Sequence, residues 1–121
     1  MEATVEVIGD IRVLTPEGDR LDASTVHLFR DTIRAELDPS SNVIFDFSNL
    51  RFIDSTGLGA IVSFLKQSKT TGGNLKLCGM SPAVRKLFEL VRVHKIIDIF
   101  NTKEETIRAF GPLDEVSKRL S

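Results

Sequence analysis

The chain has 121 residues, of which 41% are hydrophobic and 27% charged, so it is long enough for one globular domain with a single core. Its 16 basic and 17 acidic residues leave a formal net charge of -1, which supplies no broad positive field for holding nucleic acid or an anionic membrane surface. The single cysteine, Cys78, excludes an internal disulfide and a cysteine-cluster metal site, and no segment approaches the roughly 18 consecutive apolar residues of a spanning helix. We therefore expect a soluble, cytoplasmic protein with no cofactor, no direct contact with nucleic acid and no membrane insertion.

The opening residues predict an antiparallel hairpin followed by a helix. Residues 4–8 and 11–15 alternate in the strand period on either side of a Gly-Asp turn. The helix is predicted behind two candidate caps, Asp22 and Ser24, and it ends before Asp38, which a proline follows. Four apolar residues form its buried stripe: Val26, Phe29, Ile33 and Leu37.

A buried strand and a second helix follow. Residues 43–47 are almost continuously apolar, as expected for a central strand covered on both faces, and Asp46 is the exception. From Ser55 to about Thr71 the apolar residues recur with helical spacing, and a Gly-Gly pair closes that helix.

The remaining chain predicts two more strands and two more helices. Residues 74–78 read as a strand, and Ser81 followed by a proline is a strong start signal for a third helix. A short strand is predicted near residues 96–100 and a last helix from about Thr102. The third helix has an apolar stripe: Val84, Leu87, Phe88 and Val91.

This order of elements predicts an α/β fold. Its sheet is mixed and mostly parallel, with four to five strands, an antiparallel N-terminal strand and about four helices packed on it. We expect one domain over residues 1–121, with a core at about 4–110 and a tail at 112–121 that extends the last helix or frays. Ligands and partners of such sheets tend to use the carboxyl ends of the strands, where residues 52–59 are placed.

Residues 54–57 read Asp-Ser-Thr-Gly where a strand becomes a helix, and the first chemistry that fits them is capping. Asp54 or Ser55 could accept a hydrogen bond from a free amide in the first helical turn. Gly57 and Gly59 would then let the helix approach the sheet closely.

Two further chemistries use the serine hydroxyl. As a nucleophile, Ser55 would need a neighbouring base, and the only histidines, His27 and His94, stand in no recognisable triad arrangement. The sequence also lacks a nucleophile elbow and a phosphate-binding loop of the G-x-x-x-x-G-K-[ST] type. As a phosphate acceptor, Ser55 would gain about -1.5 to -2 charges at a helix N-terminus, which can hold an anion without unfolding the domain.

Three motifs in order resemble the bacterial anti-sigma factor antagonist family, whose members are stand-alone STAS domains. The most specific is "FIDSTGLGAIV" at 52–62, which is similar to the family's D-S-[ST]-G-[LMI]-G signature. The others are "RLDAST" at 20–25 and "GGNLKLCGMSPAVRKLFEL" at 72–90. The resemblance runs from about Val5 to Phe110.

The resemblance implies a partner switch and no catalytic activity of the chain itself. An unphosphorylated antagonist binds a serine kinase that is also the anti-sigma factor, and the sigma factor is released. Phosphorylation, which maps to Ser55, ends this binding, and a PP2C-type phosphatase restores it. The same fold also serves as a subunit of membrane lipid or anion transport systems, and related switches act on targets other than sigma factors.

The resemblance also implies partner-binding residues around Ser55. Asp54 helps to position the acceptor hydroxyl, and Thr56 and Gly57 form the turn that enters the kinase cleft. Asp22 belongs to the adjacent binding loop, and Arg85 lies on a helix that flanks the switch. From residue types alone, a solvated helix face is the commoner setting for a residue such as Arg85.

Overall fold

The computed structural model describes residues 2–111, and the tail predicted at 112–121 lies outside them. The strands of the described part are β1 (Ala3–Ile8), β2 (Ile11–Pro16), β3 (Arg20–Leu21), β4 (Asn42–Asp46), β5 (Phe52–Ile53), β6 (Asn74–Cys78) and β7 (Asp98–Phe100). Its α-helices are α1 (Val26–Glu36), α2 (Ser55–Thr71), α3 (Pro82–Leu90) and α4 (Lys103–Ala109), and a 3-10 helix covers Val93–Lys95. Within residues 2–111, no helix combines the length and apolarity that a membrane crossing requires.

Five strands form one mixed sheet in the order β1-β2-β4-β6-β7. Strands β1 and β2 are antiparallel, and every other neighbouring pair in this sheet is parallel. Gly9 opens the hairpin turn between β1 and β2 with a φ of 60°, a conformation that glycine adopts without steric cost. The predicted fold, with its antiparallel N-terminal strand, is confirmed.

Both faces of the sheet are covered, which explains the continuous apolar run of β4. Val43 and Phe45 belong to a large core with α1, α2 and α3, whereas Ile44 packs in a smaller core with residues of α4 and Phe110. Phe45 is central to the large core, because its ring centroid lies 5.6 Å from that of Phe29 and 5.3 Å from that of Phe64. Such aromatic contacts add to the free energy gained by burial.

Strands β4 and β6 end in Asp46 and Cys78, and the position of each residue explains how the sheet accommodates it. Asp46 lies at the end of β4, half-buried, where its Oδ1 accepts a hydrogen bond from the Ser48 amide at 3.0 Å. Cys78 is fully buried, and burial, together with the charge of Asp46, raises the pKa of its thiol to about 11. Cys78 therefore fills the core, as expected from its strand.

Three details of the prediction are wrong. Helix α1 has Thr25 at its N-cap position with no side-chain cap, so neither Asp22 nor Ser24 caps it. Val91, predicted for the buried stripe of the third helix, is 49% exposed and lies one position beyond the end of α3. A β-carbon at Gly59 would meet nothing within 4 Å, so this glycine is not required for close packing.

Candidate functional site

Two short strands that the sequence did not predict bring two loops together beyond the carboxyl ends of the main sheet. Strands β3 and β5 pair in parallel, with Arg20 opposite Phe52 and Leu21 opposite Ile53. Each strand is followed by an aspartate, Asp22 after β3 and Asp54 after β5. The parallel pairing therefore places both aspartate loops side by side.

The carboxylate of Asp54 connects these loops and caps α2. Its Oδ1 accepts a hydrogen bond from the Gly57 amide at 3.0 Å, and its Oδ2 accepts one from the Ala23 amide at 3.1 Å. The Asp54 amide in turn donates to the Leu21 carbonyl at 3.3 Å. Capping by Asp54 is thus confirmed, and the same side chain also holds the loop that precedes α1.

Gly57 is required by the close approach of the two loops. A β-carbon at this position would lie 2.4 Å from the Leu21 carbonyl oxygen and 2.9 Å from Ile53 Cγ1. Because a backbone oxygen cannot move aside as a flexible side chain can, any larger residue must displace β3 or α2. The prediction of a close approach is confirmed at Gly57.

The two hydroxyl residues after Asp54 face outward. Ser55 and Thr56 are exposed, and neither hydroxyl makes a hydrogen bond with any residue that the structure describes. They occupy the first two positions of α2, where the backbone amides have no partner within the helix. The first turn of α2 also contains no acidic side chain, so its positive dipole end is uncompensated apart from Asp54.

Asp22 is held rigidly beside this turn. It is buried, its Oδ1 accepts hydrogen bonds from the Ser24 hydroxyl at 2.6 Å and the Ser24 amide at 3.0 Å, and its Oδ2 pairs with Arg20 Nε at 2.9 Å. The Ser24 hydrogen bonds and the Arg20 ion pair outweigh desolvation and lower the pKa of Asp22 to about 2. The carboxylate is therefore ionised throughout the physiological pH range.

Arg20 and Phe52 form an exposed pair that the sequence analysis did not identify. The guanidinium carbon of Arg20 lies 4.5 Å from the centroid of the Phe52 ring, and Phe52 is 43% exposed. This stacking leaves Arg20 free to pair with Asp22 through its edge. No local pattern in the sequence connects Arg20 with Phe52, because the two residues are 32 positions apart and meet only through the pairing of β3 with β5.

Arg85 makes its polar contacts with residues outside these two loops. It is half-buried on α3, donates a hydrogen bond to Asn101 Oδ1 at 3.0 Å, and pairs with Glu89 at 3.5 Å. None of these contacts joins it to residues 54–57. The histidines His27 and His94 are exposed on α1 and on the 3-10 helix, respectively.

The STAS domain family matches residues 2–106, and the chain belongs to this family. The chain is 28% identical over 104 residues to the anti-sigma F factor antagonist of Paenibacillus polymyxa, which covers 81% of this chain and 86% of that protein. It is 29% identical over 79 residues to the anti-sigma-B factor antagonist of Bacillus subtilis, which covers 65% of this chain and 72% of that protein. These homologues are named for a regulatory rather than a catalytic activity.

Solved structures share the fold. The STAS domain protein from Planctomyces limnophilus superposes with a TM-score of 0.81 at 21% identity, over 91% of this chain and 98% of that one. Unphosphorylated SpoIIAA, an anti-sigma factor antagonist, superposes with a TM-score of 0.65 at 24% identity, over 92% of this chain and 100% of that one. Phosphorylated SpoIIAA of Bacillus superposes with a TM-score of 0.64 at 23% identity, over 90% of this chain and 99% of that one. The murine anion transporter Slc26a9 gives 0.71 at 17% identity, over 84% of this chain and 18% of the transporter.

Proposed function

We propose that this chain is an anti-sigma factor antagonist whose binding is switched at Ser55. In the unphosphorylated form it binds an anti-sigma factor that is a serine kinase, and the sigma factor is released. The kinase phosphorylates Ser55 and the complex separates, and a PP2C-type phosphatase then restores the binding form. The chain contributes a binding surface and an acceptor hydroxyl to this cycle and catalyses none of its steps.

The observation that carries the proposal is that Asp54 makes the structural hydrogen bonds of this turn and the Ser55 side chain makes none with any described residue. Asp54 supplies both the cap of α2 and the bridge to Ala23, so the Ser55 hydroxyl has no structural hydrogen bond to lose. Because Ser55 is exposed, a kinase can reach it and a phosphate fits there without displacing core atoms. The free amides at the start of α2 stabilise such an anion, so the fold survives the modification.

Electrostatics explain how the phosphate would end binding. Phosphorylation adds about -1.5 to -2 charges at neutral pH directly beside Asp54 and close to the loop that holds the ionised Asp22. A partner that had packed against a neutral hydroxyl would then have to desolvate a concentrated negative charge. Repulsion between like charges at the interface and the cost of desolvating the phosphate both weaken the complex. Binding therefore ends without a change in the fold away from Ser55.

The remaining contacts of the partner surface follow from the two adjoining loops. Asp54 fixes the acceptor turn, Thr56 and Gly57 form that turn, whose exposed hydroxyl residues enter the kinase cleft, and Asp22 fixes the second loop. Arg85 is the outlying member of this proposed surface, because its side chain is directed by Asn101 and Glu89. Its substitution should weaken binding less than substitutions in the two loops.

The experiment incubates the chain with purified anti-sigma serine kinases of its own organism and ATP, then maps the phosphate by mass spectrometry. We expect modification at Ser55, none in Ser55→Ala, and normal modification in the control Thr70→Ala, which removes an exposed hydroxyl near the other end of α2. Ser55→Ala should still bind the kinase, whereas Ser55→Asp should not. A kinase that modifies another residue, or binds Ser55→Asp as tightly as the parent, would sink the proposal.

The fold shared with Slc26a9 makes a transport system the second candidate partner. Affinity purification with the Ser55→Ala and Ser55→Asp variants distinguishes the two. The proposed switch predicts that a serine kinase is recovered with the alanine variant alone. Recovery of a transport protein with both variants alike would favour the alternative.

A further inference from the structure

Strand β1 forms one edge of the main sheet, and its outer side is open. Among the described strands β2 is its only neighbour, and its six residues make it twice as long as β7, the strand at the opposite edge. Val7, next to the last residue of β1, is 58% exposed. An edge strand of this length is a template with which a further strand can pair.

The hairpin determines which backbone groups of β1 bond to β2. Ile8 and Ile11 are paired on either side of a two-residue turn, so the register implies that they exchange hydrogen bonds and that every second residue of β1 does the same. The hydrogen bond from the Glu17 amide to the Glu2 carbonyl at 2.9 Å continues this alternation beyond the strand. The even-numbered residues of β1 therefore bond to β2.

The odd-numbered residues direct their N–H and C=O groups away from β2, because alternate residues of a strand bond to opposite sides. These residues are Ala3, Val5 and Val7. No backbone group elsewhere in residues 2–111 bonds to them. The outer side of β1 thus presents three residues with unpaired donors and acceptors.

Features that commonly keep edge strands from pairing are missing from β1. Natural sheets protect their edges with lysine, proline or a bulge. The sequence Ala-Thr-Val-Glu-Val-Ile contains neither residue type, and its register with β2 continues over all six positions without a bulge. Its one charged residue, Glu6, is already paired with Lys103 at 3.1 Å. The edge is therefore open to a strand that brings no unpaired charge.

A second copy of β1 satisfies the outward groups in one antiparallel register. When Val5 lies opposite the second copy's Val5, Ala3 of each chain lies opposite Val7 of the other, and all three outward residues pair. The small Ala3 side chain leaves room for the exposed Val7, and Val5 meets another β-branched residue. Each pair exchanges two hydrogen bonds, so about six backbone hydrogen bonds join the two chains.

The charge of Glu6 selects the same register. In it, Glu6 lies opposite the second copy's Thr4. A slip of the centre by one residue toward the hairpin turn would place Glu6 directly opposite the second copy's Glu6, which repulsion between like charges disfavours. A slip by one residue the other way would leave Val7 beyond the end of the second copy's β1. The register centred on Val5 is therefore the one that uses every outward group without opposing like charges.

We propose that β1 pairs with β1 of a second copy of this chain, so that two five-stranded sheets join into one. The same surface serves both chains, so the pairing closes as a twofold dimer. The interface is built around one strand from each copy, and a small interface of this kind gives a weak dimer whose population depends on concentration. Residues 3–8 include neither Ser55 nor the two aspartate loops, so a failure of this proposal leaves the proposed switch untouched.

Self-association of the full chain is measured by sedimentation velocity from about 10 μM to about 1 mM, and we expect a shift from monomer to dimer over this range. Hydrogen exchange followed by NMR should show that the amides of Ala3, Val5 and Val7 exchange about threefold or more slowly at the highest concentration. Isotope-filtered NMR of mixed labelled chains should detect an α-proton contact between Thr4 and the second copy's Glu6, which reports the register.

Two substitutions at Val7 form a matched pair. Val7→Pro removes an outward N–H and leaves the hydrogen bonds to β2 in place, as edge strands tolerate. Val7→Thr keeps the amide and the branched shape of the side chain. We expect Val7→Pro to weaken dimerisation by at least about tenfold, because the donor is lost from both copies, and Val7→Thr to weaken it by less than about threefold.

Four results would overturn the proposal. They are a chain that stays monomeric at about 1 mM, a dimer whose outward amides exchange as fast as in the monomer, equal dimerisation of the two Val7 variants, and outward amides that become protected only when an anti-sigma kinase is added. The last result would assign the edge to that partner. If Val7→Pro does not fold, the exchange and α-proton measurements on the unmodified chain decide.

Discussion

The two ends of the main sheet hold their aspartates differently. At the carboxyl end, both oxygens of Asp54 accept hydrogen bonds from backbone amides, and both oxygens of Asp22 are satisfied by Ser24 and Arg20. At the amino end, Asp10 uses one oxygen for Asn42 and leaves the other buried without a described donor. Satisfied carboxylates build a rigid support that leaves the exposed Ser55 hydroxyl free to react. At the amino end, Asp10 has only its hydrogen bond with Asn42 to contribute, so a change at Asp10 disrupts fewer contacts.

The largest effect is expected from crowding the carboxyl end. Gly57→Ala forces a β-carbon against the Leu21 carbonyl, and we expect it to lower the free energy of unfolding by about 1–3 kcal/mol or more. Gly59→Ala, two residues along α2, meets nothing and should raise the free energy of unfolding by up to about 1 kcal/mol through helix propensity. Urea denaturation measures both. Equal effects of the two substitutions would show that the close approach at Gly57 is not a constraint.

The same substitution made at each end separates a satisfied carboxylate from an unsatisfied one. Asp54→Asn can still accept the hydrogen bond from the Gly57 amide, but its side-chain NH2 group then faces the Ala23 N–H, and both groups are donors. We therefore expect the free energy of unfolding to fall by about 1–2 kcal/mol. Asp10→Asn keeps the hydrogen bond with Asn42 and removes a buried charge, so its cost should stay within about 0.5 kcal/mol. Thermal and urea unfolding compare the pair. The contrast fails if Asp10→Asn costs as much as Asp54→Asn.

A smaller effect concerns the titration of Asp22. Its pKa of about 2 in the folded state lies below the ordinary value of 3.8, so its contribution to stability is complete above about pH 4 and is lost as the pH falls toward 2. Ser24→Ala removes the strongest hydrogen bond to the carboxylate and should raise the pKa of Asp22. NMR titration of the carboxyl carbons detects the change, and Ser40→Ala, which acts on Asp38, is the control. An unchanged pKa in Ser24→Ala would show that Arg20 dominates.

The smallest effect on stability is expected at the switch itself. Ser55→Asp introduces an exposed negative charge at the N-terminus of α2, where the dipole favours it. The free energy of unfolding should therefore change by no more than about 0.5 kcal/mol. A loss above about 2 kcal/mol in urea denaturation would show that Ser55 supports the fold after all.

Much of the fold was predictable because short sequence patterns specify its helices and strands. Helix α2 begins and ends where its cap, apolar spacing and Gly-Gly pair indicate, and Gly72 has the positive φ of a helix-terminating glycine. The third helix likewise begins at Pro82 behind Ser81, whose hydroxyl accepts from the Val84 amide. These signals lie within a few residues of the structure that they specify.

The parts that were missed depend on residues far apart in the chain. Strands β3 and β5 contain two residues each, which is too short for any period, and they exist because they pair with each other. The hydrogen bond from Ala23 to Asp54 spans 31 positions, so sequence reasoning could identify the cap without seeing the bridge. The sequence predicts Asp22 as a cap because the same residue types serve caps and the turns that precede them, and the structure places Asp22 in such a turn.

The most direct test of the account is the affinity of the kinase partner for the chain before and after phosphorylation of Ser55, measured by calorimetry. The account predicts that the phosphorylated chain binds at least about tenfold more weakly, while NMR shows that the amides of Ala23 and Gly57 remain hydrogen-bonded to Asp54. Equal affinities of the two forms would contradict a switch at Ser55. A weaker affinity accompanied by loss of the Asp54 hydrogen bonds would contradict a local switch.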